Sequence, residues 1–133
     1  MANINWLAVL VAAVVYFAFG SLWYQVLLRK LWTRESGISM DNPPKGAAMR
    51  DMMVKSFMGN FLSAIGIALL LQYAHVGGCV HSMKIAAVAA FGIAGGTLYI
   101  NYTWQSKSAT LWAIDTGYTV IGCVLVAAII GTW

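Results

Sequence analysis

Asp115 is the one acidic residue of this chain that falls inside a long apolar run; the other carboxylates, Glu35, Asp41 and Asp51, sit in a polar stretch near the middle. An ionisable group at the middle of a membrane-spanning helix costs at least about 2.5–3.5 kcal/mol, and less near an end. Asp115 therefore has a structural or capping use, since negative charge is favoured near a helix start, or it handles a proton or cation. Tyr118 and Thr119 follow it by three and four residues, which places all three on one helical face. Asn60 lies in another apolar run and needs an interhelical partner at that depth. Asp115, Tyr118, Thr119 and Asn60 thus form the candidate ion or proton site. It lacks a second carboxylate, a nearby His and a basic partner from its own segment.

His75, Cys79 and His81 invite a metal reading, but their spacing matches no specific zinc pattern. The expectation is no metal, with the histidines as hydrogen-bonding residues at a membrane surface. Cys79 belongs to a loop and Cys123 to the middle of a later apolar run, so a disulfide between them is not expected. No Ser-His-acid set, phosphate loop or redox CxxC occurs. The chain is expected to be no enzyme and to need no cofactor.

The elements that must carry these residues follow from composition. Of the 133 residues, 61% are hydrophobic and 9% charged, against roughly 45–50% and 25% in soluble domains. Four apolar runs of about the length that crosses a 30 Å hydrocarbon core lie at about 6–28, 54–73, 85–102 and 111–130. Backbone groups in lipid must be satisfied within a segment, so the runs are read as helices. The fold expected is all-α, a single integral-membrane four-helix bundle over residues 1–133, with a cytoplasmic loop over 29–53. Met1 to Asn5 holds no Lys or Arg and no cleavage site follows the first run, so that run is read as a retained helix rather than a signal peptide.

Arg29, Lys30, Arg34, Lys45, Arg50 and Lys55 cluster between the first two runs. The positive-inside rule puts this segment in the cytoplasm, leaving the N- and C-termini and the His75–Lys84 loop on the non-cytoplasmic side. Insertion and anionic headgroups account for the basic charge, so no nucleic acid is expected as partner. Asp41-Asn42-Pro43-Pro44 reads as a breaker followed by a helix start with Pro44 in its first turn. The second helix would then begin before the membrane, with Met49, Met52 and Met53 on an interfacial turn and Asp51 paired with Lys55.

Helices in lipid associate through close backbone approach. Gly92 and Gly96, beside Ala86, Ala90 and Ala94, suggest that the third helix lies at the centre of the bundle or at a subunit interface; Gly59, Ser63 and Gly66 repeat the pattern in the second, and Gly117 with Gly122 in the fourth. Trp6 and Trp133 outside, and Trp23, Tyr24, Trp32, Tyr102, Trp104 and Trp112 inside, read as aromatic belts, with a ligand cage as the alternative for the inner group.

The stretches INWLAVLVAAVVYFAFGSLWY (4–24), LWTRESGI (31–38) and LWAIDTGYTVIGCVLVAAIIGTW (111–133) resemble domain-of-unknown-function family seventeen sixty-one, small bacterial four-span membrane proteins. The resemblance covers nearly the whole chain, most closely at Leu22-Trp23-Tyr24 and Ile114-Asp115-Thr116-Gly117-Tyr118. It implies the four-span topology and a bacterial inner membrane, and no activity. The family pattern accepts Asn in place of Asp115, which tells against a proton carrier. The leading expectation is a non-enzymatic assembly or accessory subunit, forming a homo-oligomer or joining another membrane protein among membrane lipids. The alternative is a channel or small transporter for an ion or small solute using Asp115. Reporter fusions at Ser39 are expected to read as cytoplasmic and fusions after Trp133 as external; a cytoplasmic C-terminus would overturn the span count or the orientation.

Overall fold

The computed structural model describes residues 3–133, so Met1 and Ala2, at the head of the uncharged lead-in, lie outside the described residues. Those residues fold into helices with no strand among them. Helix α1 covers Trp6–Leu27; the Asn5 side chain caps it, accepting from the N–H groups of Leu7 and Ala8 at 3.1 and 3.2 Å. Its last stretch, Leu22–Leu27, opens into wider turns with one extra residue per turn. Helix α2 is short, Arg29–Ser36. Helix α3 runs over Ala47–Tyr73, α4 over Cys79–Trp104 with a second wide stretch at Ala90–Gly95, and α5 over Ala109–Thr132. Helices α1, α3, α4 and α5 are each long and apolar enough to cross a membrane.

Three boundaries differ from the sequence reading. Helix α3 starts after Gly46, whose φ of 62° suits glycine, so Pro44 lies ahead of the helix instead of in its first turn. Helix α4 starts at Cys79 and takes in His81 and Lys84, which were read as loop. Helix α2 occupies part of the segment read as a plain loop. At eight residues it is too short to stand out by hydropathy. The Asp51–Lys55 pair forms one turn apart, at 2.7 Å.

Helix α5 is the hub, touching α1, α2, α3 and α4. Its glycines make that possible. Gly122 lies under the Tyr16 ring, Gly131 against Ser82 and Cys79 of α4, and Gly117 against the Trp23 ring. Around it Val9, Ala12 and Ala13 of α1, Ala64 and Ala68 of α3, Ala86 of α4 and Val126 and Ala127 of α5 form a core of mostly small side chains.

The centre of the bundle therefore belongs to the fourth span, and the third lies at the edge along α5. The wide stretch in α4 explains the difference. A regular helix would bury Ala86, Ala90 and Ala94 in turn, but the extra residue shifts the phase, and after Ala90 it is Gly95 that is buried, with a Cβ position 3.0 Å from Thr116 Cγ2. Gly92 and Gly96 consequently turn outward, where an added Cβ would meet no atom within 4 Å, and the same holds for Gly59. Ser63 spends its hydroxyl on the Gly59 carbonyl of its own helix, at 3.1 Å.

The closest approach makes the sharpest expectation. A Cβ at Gly122 would stand 1.8 Å from a ring atom of Tyr16, which is only 2% exposed and has nowhere to move. Gly122→Ala is expected to destabilise the bundle by about 1–3 kcal/mol, seen as a lower melting temperature in mild detergent, while Gly59→Ala leaves that temperature nearly unchanged. Equal melting temperatures for the two variants would contradict this packing.

Candidate functional site: the Asp115 node

The start of α5 is built to hold charge. Ser108 caps it, accepting from the Leu111 N–H at 3.1 Å, and its hydroxyl donates to Glu35 Oε2 of α2 at 2.7 Å. Arg34 pairs with the other Glu35 oxygen at 3.1 Å. Capping is thus done by Ser108 with Glu35, not by Asp115, because α5 begins earlier than the apolar run suggested and leaves Asp115 beyond its first turn.

Asp115 is half-buried and receives two phenols. Tyr24 of α1 donates to Oδ1 at 2.7 Å, and Tyr102 of α4 donates to Oδ2. Bonds to an ionised acceptor are roughly twice as strong as neutral ones, so this carboxylate joins three helices. Next to it, the Trp23 indole donates to the Ile114 carbonyl at 3.1 Å and the Trp112 indole to the Gly95 carbonyl at 2.8 Å. Among the described residues no Lys, Arg or His forms an ion pair with Asp115.

The four residues singled out from sequence divide. Tyr118 donates to Asn60 Oδ1 of α3 at 2.9 Å, tying α5 to α3. Thr119 turns back on its own helix, donating to the Asp115 carbonyl at 2.9 Å. The Tyr118 ring is the junction between the pairs, with its centroid 5.1 Å from those of Tyr24 and Tyr16 and stacked on Phe19 at 5.8 Å. The Tyr24 ring in turn meets Trp32 of α2 edge-on at 5.5 Å.

Tyr24 and Tyr102 are the residues that sequence reasoning missed, having been placed with Trp23 and Trp112 in an aromatic belt. Trp104, Trp6 and Trp133 are exposed as a belt requires, but the polar tips of the other four point into the bundle. The available signal was chemical: a buried Tyr or Trp donor needs an acceptor, and Asp115 was the one carboxylate at that depth. Of the potential metal ligands, Cys79 faces Gly131 while His81 is exposed, and no group of three ligating side chains occurs among the described residues.

The arrangement can fix helices through one carboxyl held between two phenols. Fold and node together define a small all-helical protein with four helices suited to crossing a membrane, joined through an internal carboxylate. The chain belongs to the family described as Protein of unknown function (DUF1761), whose profile matches residues 7–131. No curated protein and no solved structure matches it.

The Glu35 contact carries a pH dependence. The Ser108 hydroxyl, and then Arg34, hold the Glu35 carboxyl below its ordinary range, with partial desolvation opposing. A carboxyl lowered in the folded state contributes stability that is present above its unfolded value, about 4.3, and is lost as pH falls through the folded value. Docking of α2 on α5 is expected to loosen progressively as pH falls below that unfolded value, read as faster amide exchange over Arg29–Ser36. In Glu35→Gln the exchange should be fast at neutral pH already and lose this acid step. An unchanged acid step in the variant would assign it to another group.

Proposed function

We propose that the chain is a non-enzymatic, multi-pass protein of the bacterial inner membrane that assembles with copies of itself or with a larger membrane complex through the outer face of α4. The observation that carries this reading is the outward placement of Gly92 and Gly96, where an added side chain would meet nothing in the same chain. A lipid-facing helix gains nothing from glycine, whereas a second helix can approach closely at such a position. The flanking Val88, Phe91, Ile93 and Ile100 are 58–74% exposed, which gives such an approach a broad apolar border. The cytoplasmic side is the one bearing α2 and the basic loop, and both termini lie outside, on the strength of the Lys and Arg bias.

A channel or small transporter working through Asp115, Tyr118, Thr119 and Asn60 has less support. Both Asp115 oxygens are occupied by phenols, and the Thr119 hydroxyl is used within its own helix.

Gly96→Leu tests the assembly reading. Leucine favours membrane insertion, and interhelical terms are individually modest, about 0.6 kcal/mol for typical polar contacts and at most about 1–2. The expected result is normal membrane yield with a smaller oligomer in mild detergent. An unchanged oligomer in Gly96→Leu together with a disrupted one in Ala94→Leu would put the association face on the wrong side of α4.

A further inference from the structure

The helices deliver every Asp and Glu side chain to one end of the bundle. Glu35 lies on α2, Asp41 in the loop after it, Asp51 in the first turns of α3, and Asp115 in the first half of α5. The opposite end, where α3 turns into α4, has no acidic side chain. It nevertheless gathers His75, His81 and Lys84 around one open cavity of about 350 Å³, with Val76, Gly77 and Ile85 completing the wall. The ion pairs among the described residues, Arg34–Glu35 and Lys55–Asp51, are both at the far end, so none of the three side chains has an anionic partner.

The start of α4 follows the cavity wall at Gly77. Gly78 precedes α4 with no side chain capping its first N–H groups, and an uncapped helix start attracts anions. The competing negative ends are disposed of. The carbonyls of Leu70, Leu71 and Gln72 at the end of α3 are taken by the N–H groups of Ala74, Val76 and His75 at 2.9–3.1 Å. The end of α5 meets α4 at Cys79 and Ser82, whereas His81, Lys84 and Ile85 lie about 140–240° around the helix from Cys79, at 100° per residue.

We infer that this cavity binds a phosphate-class oxyanion, supplied either as free phosphate or as the headgroup of an anionic phospholipid. Lys84 provides the point charge. An imidazole donates at least one N–H whether or not it is protonated, so His75 and His81 can both bond phosphate oxygens. His75 stands at a φ of 52° in the turn that closes α3, a position glycine suits better. His75→Gly therefore removes the imidazole while easing the backbone, and separates a binding effect from a folding one.

The site lies toward the start of α4, before Gly92 and Gly96. Its test uses the full chain in phosphatidylcholine nanodiscs titrated with inorganic phosphate, followed by phosphorus NMR line width. A parallel preparation in mixed phosphatidylglycerol and phosphatidylcholine is read by native mass spectrometry for retained lipid. Loss of one charge-assisted contact is expected to weaken binding about tenfold, so Lys84→Gln and His75→Gly should each show that loss, with melting temperature held in His75→Gly. Lys107→Gln, at the other end of α4, should bind like the unaltered chain. Phosphate binding with this variant pattern identifies a free anion as ligand, and selective retention of phosphatidylglycerol with the same pattern identifies a headgroup. Binding of neither, or binding of either that survives both Lys84→Gln and His75→Gly, overturns the site.

Discussion

A carboxylate set among apolar side chains must find its donors within the fold, and Asp115 takes one from each of two other helices. Tyr24 reaches it from α1 and Tyr102 from α4. Because the two bonds converge on one side chain of α5, they set the rotation and depth of both neighbours against the hub. The indole bonds of Trp23 and Trp112 act in the same region, and Tyr118 extends the tie to α3 through Asn60. Small residues let the helices approach, but alanine and glycine contacts specify register weakly. The directed polar contacts near one end specify it.

Both wide helical stretches serve this arrangement. The one at Leu22–Leu27 contains Trp23 and Tyr24, and the one at Ala90–Gly95 ends at the carbonyl that receives Trp112. An extra residue per turn changes the direction in which later side chains point without ending the helix, and such wide turns are frequent at functional sites. In α4 the same shift has a second effect: it moves Gly95 into contact with Thr116 and turns Gly92 and Gly96 away from the bundle. One local irregularity thus completes the internal packing and presents a small-residue face outside.

The two ends of the bundle differ in what they expose. At one, α2 lies against the start of α5 through Glu35 and Ser108 and against α1 through Trp32 and Tyr24, and leaves Arg29, Lys30 and Arg34 exposed. At the other, the turn between α3 and α4 has cationic and imidazole side chains and no carboxylate. At the first end Arg34 and Lys55 are paired with Glu35 and Asp51; at the second, among the described residues, Lys84 has no such ion pair.

The number and type of the four long apolar helices, the Asp51–Lys55 pair and the prominence of Asp115 were legible in the residues themselves, because hydropathy over 20 residues and a lone carboxylate in an apolar run are local properties that need no knowledge of neighbours. The partners of Asp115 were not. Tyr24 and Tyr102 are as consistent with a headgroup belt as with an inward bond, and only the relative rotation of α1, α4 and α5 decides between them. Of the two places expected for the third helix, the centre of the bundle and a subunit interface, the first was not met for a related reason. The alanine and glycine periodicity of α4 assumes 3.6 residues per turn throughout, and the wide stretch at Ala90–Gly95 breaks that assumption at the point where it matters. Span, charge bias and composition belong to the chain taken one segment at a time; phase between helices, and with it which glycine is buried and which phenol meets the carboxylate, exists only once the segments pack together.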